Sequence, residues 1–335
     1  MNQRATREPL VTIGIPTYSR LGYLKEAVAS AQAQTYANIE ILISQNPHSN
    51  GDVRAAIADY CKALVSSDQR IRYQVHARDL GPPANFNSIA DAATGEYLTL
   101  IGDDDRLLPN AAERMVSMIG ADTVLVFSNR YIMDANGQRL ETTTLEFSRG
   151  YGRESLKEGI VPNPEVCAWQ QACQTECSLV RTADFRRLRF REDLDMPDVL
   201  LWILLARAGG EFLFVPEYLS EYRLHADSTT GRGFQGFHEL IRCLAGLPVS
   251  PEVAPYKRML LRGLMHGAIS KCLREGDTGE GQELVSNPYY PTGGRAQVKR
   301  SVMTLGTVLP RPLGAAMYKM LYAFTYGRAG RATAL

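Results

Sequence analysis

The first 130 residues alternate between short apolar runs and segments that carry an apolar stripe with helical spacing. The apolar runs lie at 10–15, 39–43, 71–75, 97–101 and 123–127. Nearly continuous apolar runs are typical of strands that are buried on both faces. Helical stripes lie between them, at Leu21, Leu24, Val28 and Ala31 and again at Phe86, Ile89, Ala90 and Ala93. This alternation predicts an α/β fold with a mostly parallel sheet flanked by helices.

The composition is that of an ordinary globular protein and excludes several classes. Of the 335 residues, 45% are hydrophobic and 22% are charged, with a net charge of +1. Nucleic-acid-binding proteins are normally strongly basic, so we expect no nucleic-acid partner. No run of about 18 apolar residues is present, and the first ten residues lack the apolar centre of a secretory signal. We therefore expect a cytoplasmic enzyme.

Six cysteines are scattered along the chain, which favours reduced thiols over a disulfide framework. Cys167, Cys173 and Cys177 are separated by five and three residues, with no histidine nearby. Structural zinc sites favour pairs of ligands with two to four intervening residues, so no zinc site is predicted here.

After residue 130 the pattern changes twice along the chain. Polar and glycine-containing sequence at 129–164 predicts loops and short strands, and a helix at 197–208 and a strand at 212–215 follow. After residue 230 the sequence has helical patterns at 237–245, 256–273 and 313–324. We predict a first domain over 1–230, divided near residue 130, and a helical region over 231–335.

The C-terminal region is basic, although the whole chain is nearly neutral. No acidic residue follows Glu283, whereas seven basic residues do, namely Arg295, Lys299, Arg300, Arg311, Lys319, Arg328 and Arg331. An apolar helical stripe is formed by Leu313, Met317, Met320, Leu321 and Phe324. A basic amphipathic segment of this kind can lie on the inner, anionic face of a membrane as a peripheral contact. The alternative is a helix that packs on the first domain or on a second subunit of a homo-oligomer.

Three consecutive carboxylates, Asp103, Asp104 and Asp105, follow the fourth apolar run. Two unit charges about 4 Å apart repel by roughly 4 kcal/mol at an effective dielectric constant of about 20. A hard divalent cation such as Mg2+ or Mn2+ would relieve this repulsion and could bridge phosphate oxygens. Ligands of open α/β sheets bind beyond the carboxyl ends of the strands, where this triplet is expected. A solvated acidic turn is the alternative.

Several segments together resemble family 2 glycosyltransferases. They are VTIGIPTYSR at 11–20, QTY at 34–36, IEILIS at 39–44, NFNSI at 85–89 and ATGEYLTLIGDDD at 93–105. Each segment is weak by itself, but their order and spacing match the family over about residues 10–230. The resemblance implies a GT-A fold, a nucleoside-diphosphate sugar donor, inversion at the anomeric carbon and a Mn2+ or Mg2+ cofactor. It makes 1–130 the nucleotide-binding half and 131–230 the acceptor half.

The resemblance also implies roles for individual residues in the nucleotide-binding half. Those expected to contact the nucleotide sugar are Pro16, Thr17, Tyr18, Arg20, Gln45, Asp79, Asn85, Asp103 and Asp104, with Asp103 facing the ribose and Asp105 binding the metal. At the end of the second strand the family usually has an acidic residue that contacts the base. Gln45 stands there instead, and its amide can hydrogen-bond to uracil or thymine. We therefore expect a UDP- or dTDP-sugar.

The family's general base is an aspartate at the start of a helix. The segment MPDVLLWILLA at 196–206 matches that motif and places Asp198 at the base, with Pro197 where the family has glutamate. Asp198 could instead stabilise the helix N-terminus through the helix dipole. The rival carboxylates nearby are Glu192, Asp193 and Asp195.

The segment Tyr222-Arg223-Leu224-His225, followed by Ser228, resembles the end of the family's catalytic domain. His225 is expected to contact the metal or the diphosphate, and Arg223 to neutralise phosphate charge. A lone histidine is also often a structural hydrogen-bonding residue.

Other functions remain open at this point. A GxGxxG pattern at 231–236 follows polar sequence rather than an apolar strand, so a flexible lid or linker is favoured over a dinucleotide loop. A nucleotidyltransferase, or a non-catalytic sugar-nucleotide-binding protein of the same fold, are the alternatives to a glycosyltransferase. The acceptor is unknown, and its pocket is expected at 129–171, which includes Trp169.

Overall fold

The computed structural model describes residues 8–226, 237–290 and 292–326. The chain divides into two compact units, Met1–Arg232 and Gly233–Leu335. The glycine-rich pattern at 231–236 and Ser228 lie outside the described residues, as do Arg328 and Arg331.

The described part of the first unit contains a single nine-stranded sheet. The strands are β1 Val11–Thr17, β2 Ile39–Gln45, β3 Ile71–Val75, β4 Tyr97–Leu100, β5 Arg106–Leu107, β6 Thr123–Met133, β7 Gly159–Ile160, β8 Ser178–Arg181 and β9 Glu211–Arg223. Their order across the sheet is β3-β2-β1-β4-β8-β6-β9-β5, and β7 pairs with β9. The five apolar runs of the first 130 residues all form strands, as predicted.

The parallel half of the sheet brings the carboxyl ends of its strands to one edge. β1, β2, β3 and β4 are parallel neighbours, with Thr17 opposite Gln45 and Gly14 opposite Leu100. Residues that follow β1, β2 and β4 therefore meet at the same edge. β8 is antiparallel to β4 and β6, and β6 and β9 are parallel, so the complete sheet is mixed.

Helices flank this sheet. They are α1 Leu21–Gln32, α2 Gly51–Ser67, α3 Pro82–Ala92, α4 Ala111–Val116, α5 Glu141–Gly150, α6 Pro164–Trp169, α7 Thr182–Leu188 and α8 Pro197–Ala208. The predicted stripe of α1 is the face that packs in the core, where Leu24, Val28 and Ala31 are fully buried beside Ile13 and Ile41.

The segment at 129–164 contains a helix where loops and short strands were predicted. α5 has no apolar stripe, because the side chains that it buries are Thr144 and Ser148. The hydroxyl of Thr144 accepts a hydrogen bond from the backbone N–H of Ile132 in β6, at 2.9 Å. A helix that packs through small hydroxyl residues gives no apolar periodicity to detect.

The second unit is helical, with α9 Phe237–Gly246, α10 Ala254–Glu275, α11 Thr278–Ser286, α12 Gly294–Val308 and α13 Arg311–Tyr326. Three of these were predicted, whereas α11 and α12 are polar and glycine-containing. In α13 the buried side chain is Tyr318, while Met320 and Phe324 of the predicted stripe are 69% and 88% exposed. Among the described residues, no helix combines the length and apolarity that crossing a membrane requires.

Candidate active site

The three consecutive aspartates form a tight, buried turn after β4. The backbone N–H of Asp105 donates to the carbonyl of Gly102 at 3.2 Å, and all three aspartates are buried. A Cβ on Gly102 would lie 2.4 Å from Asp104 Oδ1 and 3.0 Å from Asp105 Oδ2. Glycine at this position therefore lets two carboxylates fold back against the main chain.

Arg20, between β1 and α1, neutralises two of these carboxylates. Its Nη2 donates to Asp103 Oδ1 at 2.5 Å and its Nη1 donates to Asp104 Oδ2 at 2.7 Å. The hydroxyl of Thr17, the last residue of β1, donates to Asp103 Oδ2 at 2.8 Å. Three residues expected to contact the nucleotide sugar, Thr17, Arg20 and Asp103, thus meet directly.

His225 reaches the same group from the segment after β9. Its Nε2 lies 2.8 Å from Asp104 Oδ2 and 3.1 Å from Arg20 Nη1. With a proton on Nε2 the ring donates to Asp104, and without it the ring accepts from Arg20. The Asp104 carboxylate and the His225 imidazole therefore both contact the same guanidinium nitrogen of Arg20.

Burial raises the pKa values of two of the aspartates. The pKa of Asp103 rises to about 6, since burial outweighs the opposing charge of Arg20 and Asp104 adds repulsion. The pKa of Asp105 rises to about 8, because burial and then the Asp104 carboxylate disfavour its charge, against the N–H of Arg223 and the charge of Arg130. Without a cation, the turn carries more carboxylate than the side chains around it neutralise.

Arg223, the last residue of β9, holds the turn in position. It is 1% exposed, and its Nε donates to the carbonyl of Asp104 at 2.7 Å while its backbone N–H donates to Asp105 Oδ1 at 3.0 Å. Its guanidinium also pairs with Glu26 at 2.6 Å and lies over the Tyr23 ring. These contacts hold Arg223 against the acidic turn, and its expected part in neutralising phosphate charge stays a prediction.

A cleft of about 460 Å³ opens beside this turn. Its lining includes Arg20, Gly22, Tyr23, Ala135, His225 and Ala226. Clefts of a few hundred Å³ are the usual size of small-molecule sites. Arg20 and His225 thus present nitrogen atoms to a space in which an anionic ligand would fit.

Asp198 occupies the second position of α8. Its side chain is partly exposed to solvent, but the protein atoms packed around it raise the pKa of its carboxyl by desolvation. The backbone N–H of Val199 and the positive charge of Arg130 oppose that rise.

Arg130 is a neighbour of the candidate site that the sequence analysis did not single out. It lies in β6, is buried, pairs with Glu176 and stacks on the Tyr222 ring at 4.3 Å. Its charge acts on both Asp105 and Asp198, so it links the acidic turn electrostatically to the helix that carries Asp198. Arg130 follows the strand predicted at 123–127, in sequence expected to form loops and short strands, and only the fold shows that it is buried in β6.

The Gln45 amide is engaged within the protein. It is fully buried, its Nε2 donates to the carbonyl of Arg54 at 3.1 Å, and its Oε1 accepts from the hydroxyl of Tyr73. In this arrangement the amide supports the end of β2 and the start of α2, so base recognition by Gln45 requires these bonds to rearrange. Pro16 precedes Thr17 in β1, and Tyr18 is exposed and packs edge-on against His48.

Asn85 and Asp79 also make local contacts. Asn85 is buried in α3, where it accepts from the Ser44 hydroxyl at 2.5 Å and donates to the Ser44 carbonyl at 3.1 Å. Asp79 accepts from the backbone N–H of Gly81 at 2.9 Å in an exposed turn. No described hydrogen bond joins either residue to the acidic turn.

Comparison with known proteins identifies the class. The sequence profile of glycosyl transferase family 2 matches residues 12–176. The chain is 30% identical over 245 residues to the GalNAc(5)-diNAcBac-PP-undecaprenol β-1,3-glucosyltransferase of Campylobacter jejuni, which covers 70% of this chain and 74% of that protein. It is 26% identical to an uncharacterized glycosyltransferase of Methanocaldococcus jannaschii, covering 65% of this chain and 71% of that protein.

Solved structures share the fold. S. aureus TarS 1-349 in complex with UDP-GlcNAc matches with a TM-score of 0.61 at 11% identity, covering 95% of this chain and 92% of that one. A mannosyltransferase of Pyrobaculum calidifontis, in complex with GDP-Man and Mn2+, matches with a TM-score of 0.57 at 12% identity, covering 97% and 89%.

The sheet and the acidic turn at its carboxyl edge therefore define a glycosyltransferase with a GT-A fold. Within that class, the chain belongs to glycosyl transferase family 2. The predicted fold and the predicted enzyme class are confirmed, and the nucleotidyltransferase and non-catalytic alternatives are not supported.

Proposed function

We propose that this enzyme transfers a sugar from UDP or dTDP to an acceptor hydroxyl by a metal-dependent single displacement with inversion. The observation that carries the proposal is the meeting of Asp103, Asp104, Arg20 and His225 beside a cleft at the carboxyl edge of the sheet. The UDP-GlcNAc bound by TarS supports a UDP-sugar as the first donor to test.

The side chains at the turn fit a Mn2+ or Mg2+ ion. Carboxylate oxygens are the ligands that these hard cations prefer, and imidazole is also a ligand for transition metals such as Mn2+. Asp105 and His225 are the proposed protein ligands, and Asp104 adjoins both, because its Oδ1 shares the space above Gly102 with Asp105 and its Oδ2 neighbours His225. Metal ions at diphosphates are commonly completed by phosphate oxygens and water, so few protein ligands suffice. When bound, the ion would stabilise negative charge on the leaving diphosphate.

The protein's own side chains would orient and neutralise the donor. Arg20 lines the cleft and is only partly buried, so its guanidinium can exchange carboxylate partners for phosphate oxygens. Thr17 keeps Asp103 in place, and Asp103 faces the ribose in this proposal. Pro16 and Tyr18, which flank Thr17, complete the nucleotide-binding segment.

Asp198 is the proposed general base. A raised pKa brings a carboxylate closer to the operating pH, which improves its ability to accept a proton in the transition state. The acceptor hydroxyl would lose its proton to Asp198 as its oxygen attacks the anomeric carbon from the side opposite the diphosphate.

We propose a lipid-linked glycan as the acceptor, reached from the inner face of a membrane. The name of the C. jejuni relative describes transfer onto an undecaprenol-diphosphate-linked glycan. The exposed apolar residues of α13, among basic residues and without acidic ones, suit an anionic membrane surface. A second copy of the chain is the alternative occupant of this face.

The decisive experiment measures nucleoside diphosphate released from labelled UDP- and dTDP-sugars with Mn2+, with and without EDTA. We expect metal-dependent release that increases when lipid-linked glycans are added. Asp105→Asn is the matched inactive control. Release that EDTA does not affect would contradict the metal-dependent mechanism, whereas release without any acceptor effect would contradict only the proposed acceptor.

A further inference from the structure

Three side chains of types that can bind a metal ion meet in the second unit, one from each of three helices. They are His238 in α9, Cys272 in α10 and Glu280 in α11, and their ligand atoms all lie within 4.8 Å of one another. None of them has a role in the proposed transfer reaction.

The spacing of these atoms is close to that of a metal site. Glu280 Oε2 lies 3.7 Å from Cys272 Sγ and 3.8 Å from His238 Nε2. With metal–nitrogen distances of about 2.0–2.1 Å and metal–sulfur distances of about 2.3 Å, tetrahedral zinc ligands stand roughly 3.4–3.6 Å apart. Shifts of a few tenths of an ångström to about 1 Å would therefore close the group around one ion.

His238 provides an independent sign that a ligand is missing. Its side chain is 12% exposed, yet its buried Nε2 has no hydrogen-bond partner. Leaving a buried polar nitrogen without a hydrogen-bond partner destabilises the folded state. A metal ion between His238, Cys272 and Glu280 would satisfy this nitrogen.

The backbone holds two of the ligands in place without the metal. The N–H groups of Gly276 and Asp277 donate to the carbonyl of Cys272 at 2.8 and 2.9 Å, which closes the end of α10. Asp277 Oδ1 then accepts from the N–H of Glu280 at 3.0 Å and begins α11. Cys272 and Glu280 are thus fixed across a tight helix-to-helix turn, and His238 is supplied by a third helix.

We propose that His238, Cys272 and Glu280 bind one Zn2+ ion that joins α9, α10 and α11. Thiolate and imidazole ligands favour zinc over the hard cations Mg2+ and Mn2+, so this site would differ in selectivity from the acidic turn. Three protein ligands leave a fourth position for water. Because the Zn2+ ion would bind only when the three helices are assembled, its binding would stabilise the folded state.

The test uses Co2+ as an optical probe in the full-length protein after EDTA treatment. Co2+ bound by a thiolate gives a charge-transfer absorption that carboxylate and histidine ligands at the acidic turn cannot produce. We expect this band at one Co2+ per chain, its displacement by Zn2+, and a rise in the thermal midpoint on adding Zn2+. Cys272→Ser should abolish the band and the rise.

Matched controls separate this site from the other cysteines. Cys243→Ser and His266→Gln, in the same helical unit but outside the cluster, should leave cobalt binding unchanged. Cys167 and Cys173 lie 3.7 Å apart in the first unit, so a double serine variant tests whether they are the source of the band. A band that survives Cys272→Ser but disappears in that double variant would overturn the proposal.

A milder variant keeps the test decisive if Cys272→Ser does not fold. The Glu280 side chain is 42% exposed, so Glu280→Gln should fold normally. Losing a direct ligand should weaken Zn2+ binding by more than the roughly 10–100-fold that outer-shell changes cost. Zinc affinity unchanged in both Glu280→Gln and His238→Gln would also overturn the proposal.

Discussion

At the acidic turn, one guanidinium neutralises two of the three carboxylates. Arg20 contacts Asp103 and Asp104, whereas among the described residues the donors to the Asp105 carboxyl are the backbone N–H groups of Gly102 and Arg223. This difference explains why the pKa of Asp105, at about 8, is raised more than that of Asp103, at about 6. Asp105 is therefore the carboxyl that would gain most from a bound metal ion.

Asp105→Asn should abolish transfer without unfolding the protein. In the metal-free enzyme the pKa of Asp105 is about 8 when folded and near 3.8 when unfolded, so only the folded state holds this proton between these values. This term therefore lowers stability as pH rises from about 4 to 8, and asparagine removes it. We expect a flatter pH dependence of the thermal midpoint in the metal-free variant.

Mn2+ provides the second measurement on Asp105→Asn. At a concentration about 100 times its Kd, a ligand stabilises the folded state by about 2.7 kcal/mol. Mn2+ should raise the thermal midpoint of the wild-type enzyme but have much less effect on the variant. If the metal-free variant is unfolded at neutral pH, Asp105 has a structural role.

Asp198→Asn should lower kcat by about 10²–10⁴, the usual contribution of a positioned general base. Binding of the UDP-sugar, measured by calorimetry, should change little because Asp198 would contact the acceptor. Wild-type kcat should fall at acidic pH, because protonation of Asp198 at its raised pKa removes the base. Asp193→Asn is the control, since Asp193 is exposed and pairs with Arg191. Loss of activity in the control alone would transfer the role to Asp193.

At the scale of elements, the parallel strands gather the site by ending together. Thr17 ends β1, Gln45 ends β2, and Asp103 follows β4, and pairing aligns these strands in register. The close packing of these strands also requires small residues where two backbone segments touch. Gly95, between α3 and β4, lies against the backbone of Leu10 and Thr12, which would be 2.8 and 2.6 Å from an added Cβ.

Gly95→Ala should destabilise the first unit. The new methyl group would meet backbone atoms that cannot turn aside, and such overpacking typically costs about 1–3 kcal/mol. For a unit of this size, each kcal/mol lowers the thermal midpoint by about 2–4 °C. Gly150→Ala is the control, because an added Cβ there has no neighbour within 4 Å. An unchanged midpoint in Gly95→Ala would show that β1 and β4 can separate at little cost.

At the scale of the whole molecule, the two compact units present different surfaces. The first unit carries the cleft, and the second carries exposed apolar residues in a basic region. Sequence patterning identified the apolar stripe of α13. The structure adds that Tyr318 is the residue directed into the unit, where its hydroxyl donates to the Met303 carbonyl at 2.8 Å.

Phe324→Glu should weaken binding to vesicles that contain anionic lipid. Burying a large apolar side chain contributes about 1.5–3 kcal/mol, so we expect a loss of about tenfold or more in a sedimentation assay. Val65→Glu, at an exposed apolar position of the first unit, is the control. Failure of the wild-type protein to bind vesicles, together with a dimer in analytical ultracentrifugation that Phe324→Glu dissociates, would assign this face to a second copy.

Elements with a local signal could be predicted from the amino-acid sequence. Strands β1 to β4, helices α1, α3 and α8, and the acidic triplet after β4 follow from apolar periodicity and from motif order, because core-facing residues recur with the period of the element that carries them. The same motifs were sufficient to predict the enzyme class that the comparisons confirmed.

Contacts between side chains that are distant along the chain became visible only in the folded protein. Arg20 and His225 are 205 positions apart yet 3.1 Å from each other, and His238 reaches Cys272 and Glu280 from another helix. The structure also engaged Gln45 and Asn85 in internal hydrogen bonds and revealed the position of Arg130. The reason is physical, because strand pairing and helix packing set these distances. Single polar residues show no periodic pattern along the sequence from which such contacts could be predicted.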